Sequence, residues 1–250
     1  MNTQALGWTL AAGLLMSTQV SAQPINDLQS RLESMRNDQK TRIEVEIEFR
    51  HRGSAPLHLN KQKKRAKAII FYGPRGVEKI ERQSFSSSTR FSAWSDQKGE
   101  EAPLLDDIEA LELVNPAGML ETFLSEATLV SEEKVTWQGQ PARLLVLRPA
   151  ATQPDPKDGK VPAQGEETEP TPFAGEAKVW LDENGVPLAM ERGFEFRLGR
   201  ALSVTESQSF TFQQVDGRLL VAEARESYSG TGLAVLHGRE DKKVKVVAVN

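Results

Sequence analysis

Histidine and cysteine, which bind metals or act as acid–base groups and nucleophiles, are scarce in this sequence. The three histidines are His51, His58 and His237, and cysteine is absent from all 250 residues. None of the histidines belongs to a short ligand motif such as His-Glu-x-x-His, so a metal site would need residues from distant segments. Without cysteine the chain has no disulfide, thiol nucleophile or thiolate ligand. We therefore predict that the protein binds no metal and no cofactor.

Serines and paired carboxylates also form no recognisable catalytic motif. Residues 84–88 read SFSSS, but no Gly-x-Ser-x-Gly element is present. The pairs Asp106-Asp107 and Glu132-Glu133 are adjacent, and adjacent side chains of a helix or strand point in different directions. The turn-like segment 73–76 lacks the Lys-Ser/Thr of a phosphate-binding loop. We predict a protein that is not an enzyme; a hydrolase would need a Ser or His site assembled by folding.

A basic run, KQKKRAK, occupies residues 61–67. We predict a polar loop over residues 51–65, which would expose Lys61, Lys63, Lys64 and Arg65 to an acidic partner or to anionic lipid headgroups. A solvated loop without a partner is the simpler alternative. The net charge of −4 argues against a nucleic-acid-binding protein.

Apolar residues offer the remaining candidate site. Four phenylalanines and a methionine fall on two consecutive predicted strands, and a predicted helix carries a further apolar face that could cover them. Such side chains line adaptable hydrophobic pockets, and they also fill ordinary protein cores. The residues predicted to line a ligand cavity are Leu120, Phe123, Leu124, Met190, Phe194, Phe196, Phe210 and Phe212.

The pattern of apolar residues predicts a mainly β protein with a few helices. Residues 42–49 read RIEVEIEF, which alternates strictly and predicts a strand with one dry and one wet face. An edge strand is expected over residues 84–94. Asn184-Gly185 predicts a type I′ hairpin that would place Val186, Leu188 and Met190 on one face, in a row that Arg192 interrupts. The further predicted strands cover residues 66–72, 77–85, 134–137, 142–147, 186–198, 202–213, 219–228 and 244–249, with one more ending at residue 181 and a turn at residues 229–232.

Three amphipathic segments predict helices that could close the sheet. They cover residues 25–37, residues 104–111 and a segment that begins with Asn115 as the cap and Pro116 at the first helical position. Residues 149–173 contain six prolines and predict a flexible loop. Long antiparallel strands with close turns predict a strongly curved sheet, or open half-barrel, closed by short helices.

The first residues predict export. Residues 5–16 form an uncharged apolar run that is too short to cross a bilayer, and Val20-Ser21-Ala22 provides a cleavage site. We expect a signal peptide over residues 1–22, a periplasmic location, and a single domain over residues 23–250.

The order of these elements resembles a known family. The strand RIEVEIEF is followed by the helical segment NPAGMLETFLSEA, the hairpin VTWQGQPARLLVLRP and a meander opening with VWLDENGVPLAME. Within that last segment, the most family-like residues are Trp180, Asp182, Pro187 and Glu191. This resembles the periplasmic outer-membrane lipoprotein carrier superfamily. The resemblance implies an open, strongly curved half-barrel with helices at its mouth and a hollow that binds acyl chains. Compared with that family, the segments 61–67 and 149–173 are extra. The functional arginine of the family cannot be matched to a particular position in this sequence.

Two functions follow as hypotheses. The first is a monomeric, non-enzymatic periplasmic binding protein that holds a lipid, a lipoprotein acyl chain or another hydrophobic ligand, with peripheral membrane contact. The alternative is an envelope regulatory or interaction module on the same fold, with a filled interior and a protein partner. A large apolar void would favour the first hypothesis, and a filled interior would favour the second.

Overall fold

A computed structural model describes residues 23–55, 58–91, 105–149, 175–198, 202–232 and 236–250. The predicted signal peptide at 1–22 and residues 150–173 of the predicted proline-rich loop lie outside the described residues. The helices are α1 (Gln23–Glu33), α2 (Asp107–Val114) and α3 (Pro116–Ser125). The strands are β1 (Thr41–Ala55), β2 (His58–Gly73), β3 (Gly76–Phe91), β4 (Ala127–Trp137), β5 (Gln140–Pro149), β6 (Ala177–Leu181), β7 (Pro187–Leu198), β8 (Leu202–Val215), β9 (Arg218–Gly232) and β10 (Leu236–Val249).

All ten strands belong to one antiparallel sheet. Their order is β3-β2-β1-β10-β9-β8-β7-β6-β5-β4, so the first and last strands of the described chain, β1 and β10, pair near the middle. The two edge strands, β3 and β4, do not pair with each other, and the sheet is not closed. The predicted fold class, mainly β with a few short helices on an open antiparallel sheet, is confirmed.

The helices lie on one side of the sheet, which curves around them. α2 packs against β9, β2 and β3, and the adjoining α3 packs against β9 and β4. In a flat sheet the two edge strands would lie about 43 Å apart, at about 4.8 Å per strand. Two helices of 8 and 10 residues are together only about 27 Å long. They reach strands at both edges because the sheet bends, so it has an inner face toward the helices and an outer face.

The hydrophobic core lies between the helices and the inner face. Alternate residues of the strands point inward, as strict alternation in β1 predicted, and Leu28, Leu32, Leu120 and Leu124 of the helices pack against them. The buried inner-face residues include Ile43, Val45, Ile47, Ala66, Ala68, Ile70, Val179, Met190, Leu219, Val244 and Val246.

Capping groups set the ends of the two central helices. The Asp106 carboxylate accepts a hydrogen bond from the Glu109 amide, while Glu109 accepts from the Asp106 amide, which closes a capping box. Asn115 caps α3 and Pro116 occupies its first turn, as predicted. The single non-helical residue Asn115 therefore separates α2 from α3, and capping groups set the first residue of each helix.

The predicted type I′ turn at Asn184-Gly185 is wrong. Among the described non-glycine residues only Gln138 and Asp216 have positive φ, so Asn184 lacks the left-handed conformation that this turn requires. The Asp182 carboxylate instead accepts hydrogen bonds from the amides of Asn184 and Val186, at 2.8 and 2.7 Å, and closes a longer turn. Leu181 then lies opposite Pro187 and Trp180 opposite Ala189, so Leu188 is the extra residue of a β-bulge and the predicted row through it is wrong.

Two predicted irregular segments are strand. The predicted polar loop at 51–65 is wrong, because β1 and β2 continue through it and His51 lies opposite Gln62. The turn predicted at 229–232 is also wrong, since these residues are the end of β9. Charged and small residues can occupy a strand whose side chains remain in water, and hairpin pairing then outweighs their low strand propensity. The edge strand expected from residue 84 is found as far as Phe91 in β3.

Candidate functional site

A cavity of about 290 Å³ lies between α2 and the inner face of β7 to β10. We call it the α2 cavity. Leu105, just before α2, and Leu113, near its end, contribute apolar walls. Glu109 and Glu112 of α2 contribute carboxylates. The sheet contributes Arg192, Gln208, Phe210, Ala224, Glu226, Lys242 and Val244.

The strand registers arrange the sheet residues of the α2 cavity in two parallel rows. One row is apolar and crosses four strands through Val244, Ala224, Phe210 and Met190. The second row lies on the same inner face, two residues further along each strand, about 7 Å from the first. This row is polar. It consists of Lys242, Glu226, Gln208 and Arg192. The cavity therefore changes from apolar to charged across a single step of the sheet.

Arg192 points into the cavity and is fully engaged there. Its guanidinium donates to the Glu112 carboxylate at 3.2 Å and to the Gln208 side-chain oxygen, and it lies 5.5 Å from the centre of the Phe210 ring. The Arg192 and Glu112 side chains are only 18% and 25% exposed. A buried cation is tolerated where carboxylate, amide and aromatic partners surround it, which is the case here.

A second ion pair joins α2 to the other end of the polar row. The Lys242 ammonium donates to the Glu109 carboxylate, and both side chains are partly buried. Glu109 and Glu112 are three residues apart and so project from the same face of α2. Their pairs with Lys242 and Arg192 hold α2 over the cavity at two points.

Glu226 lies between the two cations of the polar row and has an unusual environment. Burial raises the pKa of its carboxyl above the ordinary value, the nearby Lys242 ammonium lowers it, and the carboxylates of Glu109 and Glu206 raise it. The net direction is upward. The α2 cavity thus contains a carboxyl group whose pKa is raised above its ordinary value, in the same row as two paired cations.

Comparisons with known proteins give only distant matches. No protein-family model matches the sequence, and no curated protein matches it. A solved structure of a DUF1329 family protein from Desulfovibrio piger is similar, with 13% identity, a TM-score of 0.37 and coverage of 92% of both chains. A second, titled "Lipid-protein interactions in lipovitellin", has 8% identity and a TM-score of 0.41, and the match spans 85% of this chain but 26% of that one.

The structure divides the predicted apolar lining between core and cavity. Phe210 lines the α2 cavity, where its ring stacks with Phe212 at a centroid distance of 6.4 Å. Leu120, Leu124 and Met190 are buried in the hydrophobic core. Phe123 is partly buried against the same core, Phe194 is partly buried one row beyond Arg192, and the Phe196 side chain lies outside the described part.

The apolar stripe of α2 also differs from the prediction. Within residues 104–111 the sequence predicts a stripe of Leu104, Leu105, Ile108 and Leu111, yet Ile108 is 72% exposed and Leu111 is also exposed. Leu104 lies outside the described residues. The helix instead starts at Asp107 and buries Ala110, Leu113 and Val114. The capping box sets this start. Because the helix then continues past Leu111 to Val114, its buried side consists of Ala110, Leu113 and Val114 and does not include Ile108 or Leu111. Sequence reasoning therefore missed Leu113, and it also missed the polar row, whose members come from four strands.

The four predicted basic contact residues do not share a face. Lys64 lies on the inner face, with its ammonium 5.8 Å from the centre of the Phe49 ring. Lys61, Lys63 and Arg65 alternate with it and lie on the outer face of β2. The strand separates these residues because alternation sends neighbours in sequence to opposite sides.

His51 is the one histidine whose side chain lies in the described part of the chain. His51 Nδ1 lies 2.9 Å from Glu240 Oε1, and the side chains of His58 and His237 lie outside the described residues. Among the residues that the structure describes, no three His, Asp or Glu side chains come together as a metal site. In the same residues no helix has both the length and the apolar character needed to cross a bilayer.

Proposed function

We propose that this chain is a non-enzymatic binding protein that holds the apolar part of an amphiphile, such as a lipid or a lipoprotein acyl chain, in the α2 cavity. The observation that carries the proposal is the single step from an apolar to a charged row within one cavity. An acyl chain needs apolar area and no directional bonds, and Phe210, Ala224 and Val244 supply such area. The head group would then lie at Arg192 and Lys242. The order of elements resembling the lipoprotein carriers supports the same proposal.

The size of the α2 cavity indicates that α2 must move to admit a whole acyl chain. Its volume of about 290 Å³ is at the lower limit of small-molecule pockets, which span about 300–1,000 Å³. Withdrawal of α2 exposes Ala110, Leu113 and Val114. The two larger side chains alone make this cost about 3–6 kcal/mol, while each buried ligand methylene contributes about 0.8 kcal/mol. About four to eight methylenes offset that cost. Affinity should therefore rise with chain length beyond a short threshold.

We also propose that the chain acts in the periplasm as a monomer after removal of residues 1–22. The uncharged run at residues 5–16 and the small residues at 20–22 support export. A lipoprotein or envelope membrane would then be the source of the amphiphile. N-terminal sequencing of the exported protein should begin at Gln23, and retention of Met1 would contradict this part of the proposal.

A filled-cavity variant tests the binding proposal directly. Ala224→Phe places a ring in the α2 cavity, whereas Ser209→Phe adds similar bulk on the outer face of the neighbouring strand. We expect the fluorescent fatty acid 11-dansylaminoundecanoic acid to bind the natural protein and the Ser209→Phe control, but not Ala224→Phe. Thermal unfolding of both variants shows whether each is folded.

Purification without detergent provides a second measurement. Denaturation followed by lipid extraction and mass spectrometry should release a bound amphiphile from the natural protein and little from Ala224→Phe. Equal probe binding by all three proteins, together with no extracted hydrophobe, would contradict the proposal. Leu113→Ala keeps the test informative if Ala224→Phe does not fold, because a larger cavity should bind the probe more tightly.

A further inference from the structure

β3 is one edge of the open sheet, and one of its two sides pairs with none of the strands that the structure describes. β2 pairs with it from Gly73 opposite Gly76 to Asn60 opposite Phe91. Among the described strands none pairs with its other side. The backbone amides and carbonyls that point to that side are available to another extended chain, as in β-augmentation.

The two halves of this edge differ in their protection against pairing. The first half carries charged side chains, which discourage pairing, at Glu78, Lys79, Glu81 and Arg82. Gln83 is then the extra residue of a bulge, since Lys67 lies opposite Ser84 and Ala68 opposite Arg82. Residues 84–88 follow with the sequence SFSSS, which contains no charge and no proline. The opposite edge, β4, has Glu132, Glu133 and Lys134 in its middle, so residues 84–88 are the less protected stretch.

Short serines on the outer face of this stretch lie beside long cations of β2. Ser84, Ser86 and Ser88 are exposed and lie opposite Lys67, Arg65 and Lys63 in register. Neighbouring strands are only about 4.8 Å apart. In the structure these three cations form exposed ion pairs with Glu48 and Glu46 of β1, on the other side of β2. Lysine and arginine side chains are longer than the strand spacing, so they can reach over the serines to the free edge when they leave those pairs. A strand added there would then meet positive charge along one face.

The surrounding outer face reinforces this positive charge. A groove of about 550 Å³ runs from Ser84 and Ser86 across β2 and β1 to β10. Its charged lining consists of four cations, Arg65, Lys67, Lys243 and Lys245, and two carboxylates, Glu46 and Glu48. Glu48 is already shared by Arg50, Lys63 and Arg65, and the Arg65 side chain is 60% exposed. Exposed pairs of this kind are weak, so the cations can take a further carboxylate.

We propose that residues 84–88 of β3 are a β-augmentation site for an acidic, extended segment of another protein. Main-chain hydrogen bonds to the free edge would hold the segment, and carboxylates at alternate positions would pair with Lys63, Arg65 and Lys67. A second copy of this chain is a poorer occupant, because joining two β3 edges brings two sets of these cations together on one face. The inference is independent of ligand binding in the α2 cavity.

A pair of labelled octapeptides tests the charge and the location together. The probe is a fluorescein-labelled octapeptide of alternating threonine and glutamate, and its control has lysine in place of glutamate. We expect anisotropy to show binding of the acidic peptide only, with affinity that falls as salt rises. Hydrogen exchange should show new protection of backbone amides within residues 84–88 and none in β4.

Matched substitutions on the outer face sharpen the test. Ser86→Glu with Ser88→Glu should weaken binding of the acidic peptide about tenfold, because like charges on neighbouring strands repel each other. Ser86→Thr with Ser88→Thr keeps the strand neutral and should leave binding unchanged. Both pairs lie at exposed positions, and unfolding curves verify that each variant is folded.

Four outcomes would overturn the inference. One is equal binding of the two peptides, and another is protection that appears away from β3. The third is stronger binding to phosphatidylglycerol vesicles than to the acidic peptide, with the same residues protected, which would assign this surface to a membrane. Dimerisation in sedimentation that the Ser86→Glu and Ser88→Glu pair abolishes would instead assign the edge to a second copy and would equally refute an acidic partner.

Discussion

The ion pair between Arg192 and Glu112 should contribute measurably to the stability of the fold, because it joins α2 to the sheet. The two charged groups are 3.2 Å apart and mostly shielded from water. Exposed pairs give coupling energies of about 0.2–1 kcal/mol, and loss of one partner of a buried pair costs about 3–5 kcal/mol. This pair is intermediate in burial, so we expect a coupling energy of about 1–2 kcal/mol.

A double-mutant cycle measures this coupling. Arg192→Gln, Glu112→Gln and the double variant would be unfolded in urea, and the coupling energy is the part of the destabilisation that is not additive. Arg239 and Asp241 provide a matched control pair, since they are 2.9 Å apart on the exposed outer face. That pair should couple by less than about 0.5 kcal/mol. Similar values for the two pairs would refute the conclusion that the Arg192 pair holds α2 in place.

The same cycle bears on ligand binding. If α2 must withdraw to admit an acyl chain, then loosening it by about 1 kcal/mol should raise the affinity of the dansyl fatty acid by about fivefold. Glu112→Gln is the appropriate variant, because it leaves the Arg192 cation in place for a head group. Unchanged affinity in Glu112→Gln would show that α2 does not move during binding.

Further predictions concern the core, the turn, the polar row and the ligand. Met190→Ala should lower the free energy of unfolding by about 2–5 kcal/mol, measured in urea, because Met190 is fully buried. Asp182→Ala should cost about 1–2 kcal/mol in the same assay, because two turn amides lose their acceptor. Burial raises the pKa of the Glu226 carboxyl in the folded state. The natural protein should therefore lose stability as pH rises from the unfolded-state pKa to the folded-state pKa of this group. Glu226→Gln should not show that loss, so its stability relative to the natural protein should increase across this pH range and stay higher above it. A fatty acid should displace the dansyl probe more effectively than the alcohol of the same chain length.

Local patterns predicted the elements of this fold, and they failed where pairing decides the outcome. RIEVEIEF and Asn115-Pro116 contain their structural signals within a few residues, and β1 and α3 formed as expected. The segment at residues 51–65 contains no alternation of apolar and polar residues, so its strand pairing could not be predicted from the pattern. Its two halves are strand because each supplies the hydrogen bonds that the other needs.

The polar row of the α2 cavity could not be predicted from the sequence for a different reason. Lys242, Glu226, Gln208 and Arg192 come from four strands, and they align only because three registers agree. One of those registers shifts at a bulge next to Phe212, and a one-residue shift changes which face a side chain occupies. Sequence periodicity does not reveal bulges, so it predicted that Arg192 interrupts an apolar row without predicting its neighbours.

The arrangement of this row determines which amphiphile the α2 cavity should prefer. When α2 withdraws, Glu109 and Glu112 leave with it, and Lys242 and Arg192 remain on the sheet. A neutral head group would leave both cations partly buried and without a carboxylate, which is costly. An anionic head group would replace the departing carboxylates, and protonation of Glu226 would reduce repulsion between it and the incoming charge. In the proposed mode of binding, the ion pairs between α2 and the sheet therefore favour a ligand that carries a negative charge beside its apolar chain, and they disfavour a purely apolar one.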